Sequence, residues 1–172
     1  MLEQLGATTY GELSARVPDE YREPVDAPLP SKWYPDAAYA AMNEAYVQVR
    51  GFSDIESCRA DFEAMGERTA HENLNGVYRA LMRFMKSSGA LAMLPLAWKQ
   101  YFKASSCHTK RHGDGRATLT VRNASISYLA PVAVGWQRAA LRIASGPQAT
   151  VRECGFDEGR ISADPMVYEL TW

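Results

Sequence analysis

The sequence predicts an α+β fold, with an N-terminal helical layer packed on an antiparallel sheet. Two observations predict it. Up to about residue 104 the apolar residues recur at helical spacing, and from 105 onward stretches of strict alternation and turn signals take over. The order is helices, hairpin, helix, hairpin. Strands gathered after helices form a sheet covered on one side. The 172 residues, 47% hydrophobic and 23% charged, fit one domain over 1–172. It divides into an N-terminal arm at 1–30, a helical part at 31–104 and a sheet part with one helix at 105–172.

In the arm, Thr8 or Thr9 caps a short helix carrying Leu13 and Val17, and Pro18, Pro24, Pro28 and Pro30 prevent any long element. Leu2, Leu5 and Tyr10 are its packing residues. Pro35 suits the first turn of a helix with Ala38, Met42, Ala45 and Val49 on one face, ended by Gly51. Ser53 and Glu56 match a capping box, ahead of a stripe of Ile55, Cys58, Phe62 and Met65. A further stripe runs Leu74, Val77, Tyr78, Leu81, Met82 and Met85. Ser87 and Ser88 cap a last helix with Leu91, Leu94, Trp98, Tyr101 and Phe102, which Pro95 kinks or splits.

Ala117 to Val121 alternate as a half-buried strand. The turn signal His112-Gly113-Asp114-Gly115 pairs it with residues 105–111. A short strand or extended segment follows around Ile126 to Leu129. Val132, Trp136, Ala139, Ala140 and Ile143 return to helical spacing until Gly146 and Pro147. Thr150 to Cys154 and Met166 to Thr171 are the last strands.

A formal net charge of −1 excludes a general nucleic-acid or anionic-membrane binder. No secretory signal is present, and no apolar run approaches the roughly 18–20 residues of a membrane span, so a cytoplasmic protein is expected. Cys58, Cys107 and Cys154 are odd in number and widely spaced, which fits reduced thiols rather than disulfides or a zinc knuckle. Cys58 reads as a buried thiol. Glycine-rich phosphate loops and nucleophile elbows are missing from the sequence, and nothing selects a general acid and its base. His108 and His112 lie four apart beside Lys110, Arg111 and Arg116, as an anion or metal site or, more simply, a solvated hairpin face. His71 reads as a capping or surface residue, with a lone base or haem ligand as the functional alternative. Aromatic residues crowd the helical half and the late helix, either filling a core or lining an apolar pocket.

The segments TAHENLNGVYR at 69–79 and PLAWKQYF at 95–102 resemble a family of small myxobacterial proteins. VRECG at 151–155 and VYELTW at 167–172 look like the close of the 4-vinyl-reductase type domain. That domain is grouped with haem–nitric-oxide binding domains and the Bet subunits of the TRAPP vesicle tether. The resemblance implies a helical layer over an antiparallel sheet with an apolar cavity between them. In phenol-sensing relatives a cysteine-rich end binds zinc; Cys154 matches one such position, and no cysteine follows it. Haem-binding relatives need a proximal histidine on the helix before the sheet, and residues 88–104 contain none. Neither haem nor zinc is therefore expected, and no cofactor is assigned. TRAPP-type relatives hold an acyl chain and dimerise through their helices.

The expected function is a non-enzymatic sensor or adaptor domain holding a small apolar molecule or lipid. The alternative is a protein-interaction module with a filled core, acting as a homodimer or partner subunit. The expected pocket wall is Tyr78, Leu81, Met82, Trp98, Tyr101 and Phe102, facing the sheet that follows.

Overall fold

The computed structural model describes residues 7–27, 29, 32–124, 126–154 and 164–172. The chain runs α1 (Ala7–Arg16), a single 3-10 turn, α2 (Glu23–Asp26), α3 (Asp36–Arg50), α4 (Ile55–Asn73) and α5 (Gly76–Tyr101). It continues with β1 (Ser106–Arg111), β2 (Arg116–Arg122), α6 (Leu129–Ser145), β3 (Thr150–Cys154) and β4 (Met166–Thr171). The expected order of helices, hairpin, helix, hairpin is the order observed. The four strands form one antiparallel sheet in the order β1-β2-β4-β3.

Alternation decides which face of the sheet is covered. Ala117, Leu119 and Val121 of β2 and Met166, Tyr168 and Leu170 of β4 are buried in one cluster with Ala130, Ala133, Val134, Ala140 and Leu141 of α6. Leu91 and Leu94 of α5 join them. A second cluster holds the helical layer together, with Leu13 and Val17 of α1, Val25 of α2, Tyr46 of α3, and Cys58 and Phe62 of α4. Leu2 and Leu5 lie outside the described residues, while the Tyr10 hydroxyl donates to the Val25 carbonyl.

The axial members of the layer are α4 and α6. A Cβ placed on Gly66 would overlap the Val132 carbonyl, and one placed on Gly135 would overlap the Glu63 carbonyl. These helices therefore touch backbone to backbone, and the two glycines permit it. Charged pairs run along the crossing: Arg138 to Glu63 at 2.8 Å and Arg142 to Glu67 at 3.5 Å.

Several boundaries differ from the sequence expectation. Thr8 and Thr9 lie within the first turn of α1 rather than before it. The capping box of α4 is one residue further on: Ser57 N donates to Asp54 Oδ1 at 2.8 Å and Asp54 N to Ser57 Oγ at 3.3 Å. An ionised carboxylate is a stronger acceptor at a helix N-terminus than the Ser53 hydroxyl, and these bonds hold Asp54 below its usual carboxylate range. Ser87 and Ser88 start no new helix, because α5 runs unbroken past them. Met82 before them and Leu91 after them bury in the same cluster, and serine in a helix costs only a fraction of a kcal/mol, about 0.5. Pro95 lies inside α5 without splitting it.

Residues 126–129 form no strand. Leu129 N bonds to the Ile126 carbonyl, and Tyr128 takes a left-handed φ of 61°. The Tyr128 ring stacks on Phe62 at 5.2 Å, and Asn43 Nδ2 donates to the Ser127 carbonyl at 2.8 Å. Tertiary contacts thus impose a turn where local alternation favours extension. The expected stops at Gly51 and Gly146 are observed, both at positive φ. Among the described residues, no helix is long and apolar enough to cross a membrane.

Candidate ligand pocket

A cavity of about 550 Å³ lies where the helical layer meets the sheet. Its walls are the stretch from Lys32 to Met42 leading into α3, Met65 and Thr69 of α4, the end of α5, Leu119 of β2, and Leu129 to Gln137 of α6. Volumes of roughly 300–1,000 Å³ suit small organic ligands.

The end of α5 supplies the aromatic wall. Trp98 and Phe102, one helical turn apart, lie 4.6 Å apart between ring centroids, tilted by 34°. The Trp98 indole N–H donates to Ser105 Oγ at 2.6 Å, which ties the end of α5 to the start of the sheet. The Tyr101 hydroxyl accepts from Asn73 Nδ2 at 2.7 Å, which ties it to the end of α4. Tyr101 also meets Trp136 edge-on at 6.4 Å. Opposite stands Tyr39 of α3, 6.4 Å from Phe102. Burial pushes the Tyr39 phenol up to about 12, with the Asn43 side chain pulling slightly the other way. At the rim, Lys103 Nζ sits 4.1 Å from the centroid of the Trp33 ring, and Lys32 pairs with Glu23.

The wall's charged side chains, among the described residues, are Lys32 and Asp36, which both precede or begin α3. Its polar side chains are mostly engaged elsewhere: Trp98 and Tyr101 as above, and Thr69 Oγ1 with the Met65 carbonyl at 3.0 Å. Gln137 differs. It is 3% exposed, and neither of its amide atoms has a hydrogen-bond partner. Leaving such a group unpaired costs about 1–3 kcal/mol.

Of the residues expected to form the wall, Trp98, Tyr101 and Phe102 line this cavity. Leu81 and Met82 line a separate space of about 30 Å³ with Met85 and Trp136. The Tyr78 side chain lies outside what the structure describes. Sequence reading missed the opposing wall of Tyr39, Met42, Leu129 and Gln137. A usable signal existed for Gln137, which lies four residues after Ala133 and four before Leu141 on the buried face of α6.

The other candidates are not brought together. His71 is exposed at the end of α4, and His108 is exposed on β1. His112, past the end of β1, places Nε2 2.7 Å from Thr118 Oγ1. Among the described residues, no group of three or more His, Cys, Asp or Glu side chains is placed to hold a metal. Cys58 is fully enclosed, its thiol donating to the Ile55 carbonyl at 3.2 Å, and burial pushes its titration up.

No protein-family model matches the chain, and no curated protein sequence matches it. Solved structures do. One is an Fe(II) unliganded H-NOX protein from K. algicida, in an alanine-to-glycine mutant form, with a TM-score of 0.67 and 10% identity; the match covers 98% of this chain and 88% of that one. Another comes from work on modulating heme redox potential through protein-induced porphyrin distortion, with a TM-score of 0.57 and 11% identity, covering 96% of both chains. At such identities the likeness is one of fold. The chain has the α+β fold seen in H-NOX domains.

Proposed function

We propose that the chain is a non-enzymatic sensor or adaptor domain that holds one small, uncharged, chiefly apolar molecule in this cavity. The observation that carries the reading is the cavity itself. It lies between the helical layer and the sheet, is walled by aromatic and aliphatic side chains, and reaches the rim at Lys32 and Trp33. An occupant there touches α3, α5 and α6 together, so its presence biases how those helices sit, which is what a sensor requires. The sequence resemblance to 4-vinyl-reductase and TRAPP Bet domains supports the same reading.

Haem does not fit as that molecule. A globin-type or H-NOX-type haem site needs an axial imidazole. Among the described residues, none that lines the cavity is a histidine or cysteine.

The test is extraction. Mass spectrometry of organic extracts of the purified protein should return one small molecule near stoichiometric amount, and stripped protein should take up a hydrophobic dye. Stripped protein that binds no dye, with no molecule in the extract, would refute the reading.

A second reading rests on a separate observation. On α5, Phe84 is 88% exposed and Leu81, one turn before it, is 44% exposed. Residues three apart share one face of a helix, and an exposed apolar face of sufficient extent marks an interaction surface. In this reading the domain self-associates through α5. Light scattering should show a dimer that Phe84→Glu converts to monomer, and a strict monomer at high concentration would remove this reading.

A further inference from the structure

The cavity's uncommitted polar chemistry is concentrated at Gln137. A buried amide whose donor and acceptor both lack partners is rare in folded proteins, and each instance calls for a reason. Gln137 sits on the buried face of α6, whose other members there, Ala133, Ala140 and Leu141, are apolar. The adjacent Trp136 indole N–H, also in the cavity wall, lacks a partner as well.

We infer that Gln137 is the polar anchor of the cavity and that the ligand is an uncharged, chiefly apolar molecule carrying an amide group. The inference rests on the cavity being a ligand site. An amide offers an N–H donor and a C=O acceptor, which answer the Oε1 acceptor and Nε2 donor of Gln137. A hydrocarbon leaves both unmet. A carboxylate is disfavoured because the wall's cation, Lys32, belongs to the stretch before α3 and is paired with Glu23, and an ionised group buried away from a counter-charge is far costlier than an amide. The terminal carboxamide of glutamine turns about a soft torsion, so it meets a head group at the wall without moving α6.

Three probes with the same acyl chain test this: decanamide, methyl decanoate and decanoate at about pH 8, where the acid is ionised. Binding to stripped protein is read from tryptophan fluorescence, with a hydrophobic dye as reference. The expected result is decanamide binding about tenfold or more tighter than the ester and the anion. Gln137→Met should abolish that preference, so that the three probes bind alike. Equal binding of the three probes, or a preference that survives Gln137→Met, overturns the amide anchor and leaves the ligand-binding reading intact. Failure of the dye and every probe to bind overturns both. If Gln137→Met does not fold, the ranking of the probes on the unmodified protein decides alone.

Discussion

Cys107 faces the core from β1, its thiol pushed up to about 12 by burial, and Cys58 is fully enclosed. Cys154 is half-buried at the end of β3. A disulfide reagent at about pH 8 should therefore label Cys154 alone in the native protein and all three thiols after unfolding. Rapid native labelling of Cys58 would contradict the burial. Glu153, beside it, has a side chain 6% exposed, 3.1 Å from Arg59. Burial raises its carboxyl, with Arg59 opposing. The folded state thus keeps this proton to higher pH than the unfolded chain does, and the contribution to stability falls as pH rises from the ordinary carboxylate range through the folded value. Urea unfolding at stepped pH should show that decline in the native protein and a flatter curve in Glu153→Gln. Trp98→Ala belongs to the same scale. A fully packed tryptophan costs about 3–5 kcal/mol on truncation. Trp98 borders open space, so the loss should be below about 3 kcal/mol, with dye binding altered. Residues of this kind were partly legible: Cys58 could be read as buried from its stripe with Ile55 and Phe62. Tyr128 could not, because its left-handed φ is held by Phe62, a residue far away in the chain.

At the level of elements, the crossing of α4 and α6 carries the sharpest expectation. Alanine normally favours a helix over glycine by about 1 kcal/mol. Gly66→Ala and Gly135→Ala should show the opposite sign, because each new Cβ meets backbone of the other helix. Each should lower stability by about 3 kcal/mol or more, measured by thermal or urea denaturation. A neutral or stabilising result would mean that the helices stand further apart. Local chemistry announced most element ends, as at Gly51, Gly146 and the Gly113–Gly115 turn. It misplaced the start of α4 by one residue, because Asp54 and Ser53 are both good caps and only the charge separates them. It also divided α5 at Ser87 and Ser88, since a serine that can cap a helix can equally lie within one, and tertiary packing decides.

For the whole molecule, the layer order was legible from the switch between periods, while the cavity's second wall was not. Trp98, Tyr101 and Phe102 share a helical face, which spacing shows. That Tyr39 and Gln137 stand opposite them depends on how α3 and α6 come together across long sequence separations, which periodicity does not encode. The donor set of that wall gives a global expectation: hemin added to stripped protein should produce no stoichiometric, sharpened Soret band. A histidine-ligated spectrum would place an imidazole in a wall that has none among the described residues.

The strand order β1-β2-β4-β3 also bears on how the protein is made. β4 is the last of the four to leave the ribosome, yet it occupies an interior position, with β2 on one side and β3 on the other. Until it emerges, β2 and β3 each present an unpaired edge, and the apolar face of α6 has only part of a sheet to lie on. Such edges invite pairing with other chains. A nascent chain stalled before Met166 should therefore depend on chaperones, and its release should depend on the six residues of β4 rather than on the helices made first.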